Sequence, residues 1–140
     1  MSKKPIFVVQ KNYARTLHYD FRLEIDGVLK SWAVPKGPSM NPKDKRLAIL
    51  VDDHDMEYAD FDGEIEEGEY GAGKVEIWDK GKYSNLQNEK KISMNESFNN
   101  GHIEIMLDGK RLNGNFAMIR MKKGDGKNWL LIKMKEVSST

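Results

Sequence analysis

Apolar and polar residues alternate one for one from His18 to Ile25. Tyr19, Phe21, Leu23 and Ile25 fall on one side, which predicts a β-strand with that face in a core. The other side carries His18, Asp20, Arg22 and Glu24. An ordinary half-buried strand shows Thr, Ser and Lys there. Here every outward position is ionisable. The strand ends at Asp26-Gly27, a strong two-residue hairpin signal, and Val28–Val34 reads as its antiparallel return.

The same period recurs along the chain. Ile6–Gln10 is a short β-prone run, and Lys11–Arg15 reads as a loop or a single helical turn. Pro35-Lys36-Gly37-Pro38-Ser39 is a stiff loop that holds Lys36 in place. Arg46–His54 is a strand with an apolar middle, and Arg46 and His54 mark its ends. Residues 57–73 are acidic and turn-rich. Gly71-Ala72-Gly73 lacks the spacing of a nucleotide-binding loop and reads as a bulge or tight corner. Lys74–Trp78 is a strand, closed by Asp79–Tyr83. Residues 84–100 are polar, with apolar positions too sparse for an amphipathic helix beyond a short helical turn at Asn95–Phe98. Ile103, Ile105 and Leu107 alternate into a second hairpin signal, Asp108-Gly109. Arg111–Arg120 pairs back, Gly124–Lys127 turns, and Trp129–Met134 is the last strand. Many short strands with glycine-rich turns predict an all-β fold: a compact antiparallel β-barrel with short helical segments.

A chain of 140 residues suits one domain over 1–140. It has no cysteine, which closes disulfides, thiolate metal sites and thiol nucleophiles. Any metal must be held by His, Asp, Glu, Asn or water, which favours a hard ion such as Mn²⁺ or Mg²⁺, with Zn²⁺ open. No apolar run marks a signal peptide or a membrane span, so the expectation is a cytoplasmic protein with no membrane partner. Net charge is +1, unevenly spread: +6 over residues 1–46, −11 over 47–79 and +6 over 80–140. Two basic segments around an acidic one suit a protein that binds a polyanion and keeps carboxylates for chemistry.

His18 and Asp20 lie roughly 7 Å apart along one strand face by strand rise, within reach of a single metal ion. The same row also reads as a solvated face in which His18 simply pairs with Asp20. His54 is the second of three histidines, and His102 reads as a surface histidine in a polar loop. Arg22 and Arg46 can grip phosphate oxygens, and Lys36 adds a point charge. His54 titrates in the range of a general acid. Asp52 or Glu24 can orient a histidine or an arginine from behind.

Several motifs carry a resemblance: Phe7-Val8-Val9-Gln10-Lys11, Leu17–Glu24, Trp32–Ser39, Lys45–Ala48, Asp53-His54, Gly68–Gly73, Arg111-Leu112-Asn113-Gly114 and Trp129–Lys133. In this order they resemble the 3′-phosphoesterase domain of bacterial ligase D and its stand-alone relatives. The resemblance implies a Mn²⁺-dependent barrel, with other divalent ions able to serve, that heals 3′ ends of DNA or RNA in non-homologous end joining. Such domains remove a terminal 3′-ribonucleoside and then the 3′-phosphate, alongside a ligase and a repair polymerase. By motif the metal ligands fall on His18 and Asp20, and the phosphate contacts on Arg22, Lys36, Arg46 and His54. A functional tyrosine falls on Tyr58 and an acidic site residue on Asp52.

Two departures stand out. The family motif has histidine after Gln-Lys, where this chain has Asn12. An amide oxygen ligates hard ions but is a poorer donor than imidazole, so weaker metal binding is expected. The sequence also starts a few residues before its first strand, without the Arg-, Asp- and Glu-bearing segment that supports the ribonuclease step. The phosphatase step is therefore the stronger expectation. Two other classes remain: a weakened relative that binds 3′ ends without turnover, and a non-enzymatic oligonucleotide-binding barrel.

Overall fold

The alternation at His18–Ile25 folds as expected. In the computed structural model, which describes residues 4–65 and 73–136, Leu17–Ile25 is strand β2. It lies between β1 (Ile6–Tyr13) and β3 (Val28–Val34). The remaining elements are β4 (Arg46–Asp55), β5 (Gly63–Ile65), β6 (Gly73–Asn85), helix α1 (Met94–Asn100), β7 (His102–Asp108), β8 (Asn113–Arg120) and β9 (Asn128–Lys133). The strands run in the order β1-β2-β3-β4-β9-β8-β7-β6, and β6 pairs back onto β1. Every pairing is antiparallel, so eight strands close into a barrel that leaves β5 on the outer half of β6. Closure pairs both edges of the barrel's sheet, which removes the open edges a flat sheet would expose.

Inside the barrel, Phe21, Leu23 and Ile25 meet Phe7 and Val9 from β1, Trp32 from β3 and Trp129 from β9. Trp32 and Trp129 cross edge to face at 5.5 Å, and Phe98 of α1 stacks on Trp129 at 5.7 Å. Each such buried aromatic is worth roughly 1.5–3 kcal/mol over an exposed one. Here the structure corrects the sparse reading of 84–100. A capping box pins the helix, with Ser93 accepting from the Glu96 N–H and Glu96 from the Ser93 N–H, and Gly101 ends it in the left-handed conformation. Two apolar residues, Met94 and Phe98, seat this short helix on the core.

Other boundaries also move. Lys11–Tyr13 extends β1 rather than forming a loop, because both β2 and β6 pair with it. The strand begun at Lys74 continues through Asp79 to Asn85. An irregularity does occur there, though at Trp78: Val9 faces Asp79 and Gln10 faces Ile77, which leaves Trp78 as the extra residue of a bulge. Gly71 and Ala72, where a bulge was expected, lie outside the described residues. Arg111 precedes β8 rather than opening it. His102 opens β7 instead of sitting in a loop. It is exposed and pairs with Glu104 at 2.8 Å, as a surface histidine does.

The outer face of β1–β3 carries a second, smaller cluster. A 3₁₀ turn at Met56–Asp60 folds back over it, and Ala59 packs with Val8 and Leu29. This turn covers the charged face of β2. Asp20 and Arg22 are therefore buried, at 8% and 3% exposure, where a solvated row was the simpler expectation.

Candidate active site

The hairpin register sets the site. Asn12 lies directly across from His18, Gln10 from Asp20 and Val8 from Arg22. Opposite strand residues share a face, so Asn12, Gln10, His18, Asp20 and Arg22 point out together beneath the Met56–Asp60 turn.

His18 Nε2 stands 3.4 Å from Asp20 Oδ2. Its Nδ1 lies 3.2 Å from the Thr16 carbonyl, which suits an Nδ1–H donor; Nε2 then bonds Asp20 as an N–H in the protonated ring and offers a lone pair to an ion in the neutral one. Hydrogen bonding to Asp20 holds the imidazole above its ordinary pKa, against the opposing effect of burial. Arg22 Nη2 reaches the same carboxylate at 3.6 Å. The rest of the guanidinium is fixed: Nε donates to Gln10 Oε1 at 2.7 Å and Nη1 to Ser31 Oγ at 2.8 Å. Burial lowers the Arg22 pKa and Asp20 opposes this, yet a guanidinium stays charged in proteins. Its Cζ also lies 4.8 Å from the Tyr58 ring centre.

His54 completes the row. Its Nδ1 is 3.1 Å from Arg22 Nη1 and 3.0 Å from the Asp52 carbonyl. One nitrogen cannot accept from the first and donate to the second at once. Burial first, and then Arg22, push the imidazole below its usual range, so the ring is neutral at pH 7. The Tyr58 ring sits 4.8 Å from His54 and stacks on Phe61 at 5.1 Å. Burial raises the Tyr58 pKa and keeps its phenol protonated.

The structure therefore gathers His18, Asp20, Arg22, His54 and Tyr58, with Asn12 beside His18. Lys36 and Arg46 line a separate cavity of about 290 Å³ with Pro35, Lys45 and Leu47. The register places that cavity at the same barrel end as Asn12 and His18, because β3 ends and β4 begins there. Arg46 is 3.6 Å from Asp44, and its Nε is buried without a partner. Two acidic positions fall away from the cluster. The Glu24 carboxylate accepts the Ile6 N–H at 3.0 Å, which engages it on β1. Asp52 is exposed and reaches His54 through its main-chain carbonyl.

Gln10 and Ser31 were missed. Gln10 is fully buried, holds Arg22 through Oε1, and donates from Nε2 to the Tyr58 carbonyl at 2.7 Å and the Phe61 carbonyl at 3.2 Å. It ties the arginine to the covering turn. A glutamine inside the β-run Phe7–Gln10 was the available signal.

Among the described residues, no three His, Asp or Glu converge as a ready metal cage. The third donor is instead an amide. Asn12 is 6% exposed, and its Oδ1 is buried with no hydrogen-bond partner. An orphaned acceptor is costly unless something electropositive meets it. An imidazole lone pair, a carboxylate and an amide oxygen on adjacent strands form a donor set that suits a hard divalent ion.

Fold and site together define a class: a small closed β-barrel whose outer face sets a His–Asp pair beside a buried arginine, a second histidine and a tyrosine. A family model described as the DNA ligase D 3′-phosphoesterase domain matches residues 10–120, and the chain belongs to that family. It is 48% identical over 131 residues to the "Multifunctional non-homologous end joining protein LigD" of Pseudomonas aeruginosa, covering 93% of this chain and 15% of the relative. Against the "Multifunctional non-homologous end joining DNA repair protein LigD" of Mycobacterium tuberculosis, identity is 47% over 129 residues, covering 92% and 16%. A Mycolicibacterium smegmatis LigD is 44% identical over 135 residues, covering 93% and 17%. The chain thus spans about a sixth of the curated relatives it matches. No helix among the described residues is long and apolar enough to cross a membrane.

Proposed function

We propose that this protein is a Mn²⁺-dependent 3′-phosphoesterase that removes a 3′-phosphate from DNA or RNA ends and leaves a 3′-OH for ligation. Removal of a terminal 3′-ribonucleoside is a second activity of the same site. The observation that supports this most is the orphaned Asn12 Oδ1 beside the His18–Asp20 pair, with the fixed Arg22 guanidinium on the same carboxylate. Family membership supplies the phosphoester class, and the relatives' names supply the end-joining context; a ligase and a repair polymerase are the partners this reading implies.

Asn12, His18 and Asp20 would hold the ion. When bound, it supplies Lewis-acid polarisation of a phosphate oxygen and a more acidic water. The protein's own groups do the rest. Gln10 and Ser31 hold Arg22 beside Asp20 so that its remaining Nη2 N–H is in place for a phosphate oxygen with little reorganisation, which stabilises the charge that builds in the transition state. In the tautomer whose Nδ1 accepts from Arg22, the neutral His54 ring presents its Nε2–H as a hydrogen-bond donor to the departing 3′-oxygen, which takes its proton from water. Tyr58 packs over both and limits water. Lys36 and Arg46 add positive charge at the barrel end through which the strand approaches.

The test is release of inorganic phosphate from a primer–template ending in 3′-phosphate, with a 3′-monoribonucleotide primer beside it. Release that requires Mn²⁺ and stops with chelator supports the reading. Binding of the primer end without release on either substrate would instead support a barrel that, with Asn12 for histidine, kept recognition and lost turnover.

A further inference from the structure

The β7–β8 turn carries two exposed cations that the site above does not use, Lys110 and Arg111. The Arg111 guanidinium lies over the Trp78 ring, with Cζ 4.9 Å from the ring centre, and Nε donates to the Trp78 carbonyl at 2.9 Å. Arg111 is thus held as a flat cation on an aromatic base. Among the described residues, neither Lys110 nor Arg111 has a carboxylate at ion-pair distance, whereas nearby Lys80 is paired with Asp60.

The turn is also built to stay in place. Asp79 is 4% exposed. Its carboxylate accepts the backbone N–H groups of Lys80, Lys110, Arg111 and Leu112, at 2.8–3.1 Å. These residues border an open cavity of about 320 Å³. The register connects it to the active site: Asp20 faces Gln10, and Gln10 faces Ile77, the residue before Trp78. Two strand steps of about 4.8 Å put Ile77, which borders the cavity, roughly 10 Å from Asp20 along the sheet. Trp78 also meets the Tyr19 ring edge to face at 5.5 Å. Tyr19 in turn supports Gly37, the neighbour of Lys36. An aromatic and cationic rim therefore runs from the Lys36 loop to Arg111.

We propose that the Trp78–Arg111 platform with Lys110 is a second contact for the nucleic-acid strand, one or more nucleotides away from the reacting end. A base stacks on the exposed face of the guanidinium, and Lys110 takes a neighbouring phosphate. Pinned planes beside free cations are what single strands use when sequence is not read. The assignment of which end lies in the active site rests on the 3′-phosphoesterase reading. The binding itself does not.

The experiment is fluorescence anisotropy with a labelled single-stranded oligodeoxynucleotide of about 16 nucleotides, ending in 3′-OH, in chelator. Because it needs neither metal nor terminal phosphate, it stands or falls apart from the phosphatase assay. Arg111→Ala is expected to weaken binding about tenfold with a small change in the slope of log affinity against log salt, because it carries a base and not a phosphate. Lys110→Ala should lower the slope by about 0.7. Arg111→Lys should keep the slope and still lose affinity, since it keeps the charge and loses the plane. In turnover, Arg111→Ala should raise KM for a long substrate and leave kcat unchanged. Wild-type protein that does not bind this oligonucleotide would overturn the proposal. So would Arg111→Ala and Lys110→Ala variants whose affinity and salt slope match wild type.

Discussion

Asn12 decides how this chain differs from the pattern it resembles. It lies across from His18 in the sheet with its amide oxygen buried and unpartnered, and that oxygen lacks the charge or basicity that would hold a metal tightly. Asn12→His is expected to shift the Mn²⁺ titration to lower concentration by about tenfold, the low end of the changes seen when metal surroundings are altered. An unchanged titration would show that position 12 is not a ligand. His18→Ala should abolish turnover and leave the thermal melt near wild type, because His18 is half-buried on the outer face and packs against no core residue. Gln10 is a different case. It is not itself a candidate ligand and acts through Arg22, so Gln10→Ala should lower kcat by about 10² with little change in Mn²⁺ affinity. Loss of both together would make it a fold residue only. At this scale His18, Asp20 and Arg22 were legible because alternation placed them on one face. Gln10 and Ser31 were not, since a neutral polar residue in a strand carries no charge signature. Glu24 looked equivalent to Asp20 by period alone. The difference is the Ile6 N–H, a contact across strands that spacing does not encode.

Elements place these residues, and their loops are as constrained as their strands. Gly37 follows Lys36 with φ +80°, and a Cβ there would stand 2.9 Å from the Tyr19 ring. Backbone strain and overpacking predict that Gly37→Ala costs roughly 1–3 kcal/mol in denaturant unfolding and displaces Lys36. A wild-type midpoint would contradict this. The stiff loop was readable from its prolines. The β1 extension through Tyr13 was not, because Lys11-Asn12-Tyr13 alternates weakly and is held by two neighbours at once. Nor was the covering 3₁₀ turn. Its effect is to bury Asp20 and Arg22, which no pattern within β2 reveals.

The whole molecule is a closed barrel, and closure couples its parts. Tyr83 shows how. Its ring is 1% exposed in the core, and its hydroxyl donates to the Glu24 carbonyl at 2.6 Å, joining β6 to β2 across the interior. Burial raises its pKa far above the ordinary value of 10.0. Above pH 10 the unfolded chain sheds this proton and the folded chain keeps it, so stability is full below pH 10 and falls as pH rises further. Tyr83→Phe should cost about 1 kcal/mol at pH 7 through the lost hydrogen bond, and should flatten that alkaline decline. An unchanged alkaline slope would show that Tyr83 does not carry it. The barrel itself was visible from strand number and turn chemistry. Its strand order was not, because the β1–β6 and β4–β9 pairings join segments far apart in the chain.

The central claim is that Asn12, His18 and Asp20 hold a divalent ion that makes this barrel a 3′-phosphatase. The most direct measurement is phosphate release from a 3′-phosphate primer–template across a Mn²⁺ titration, for wild type and Asp20→Asn, with a thermal melt of each. The account predicts saturable Mn²⁺ dependence in wild type and no release at any Mn²⁺ concentration in a folded Asp20→Asn. Release without metal, or an Asp20→Asn curve that overlays wild type, would contradict it.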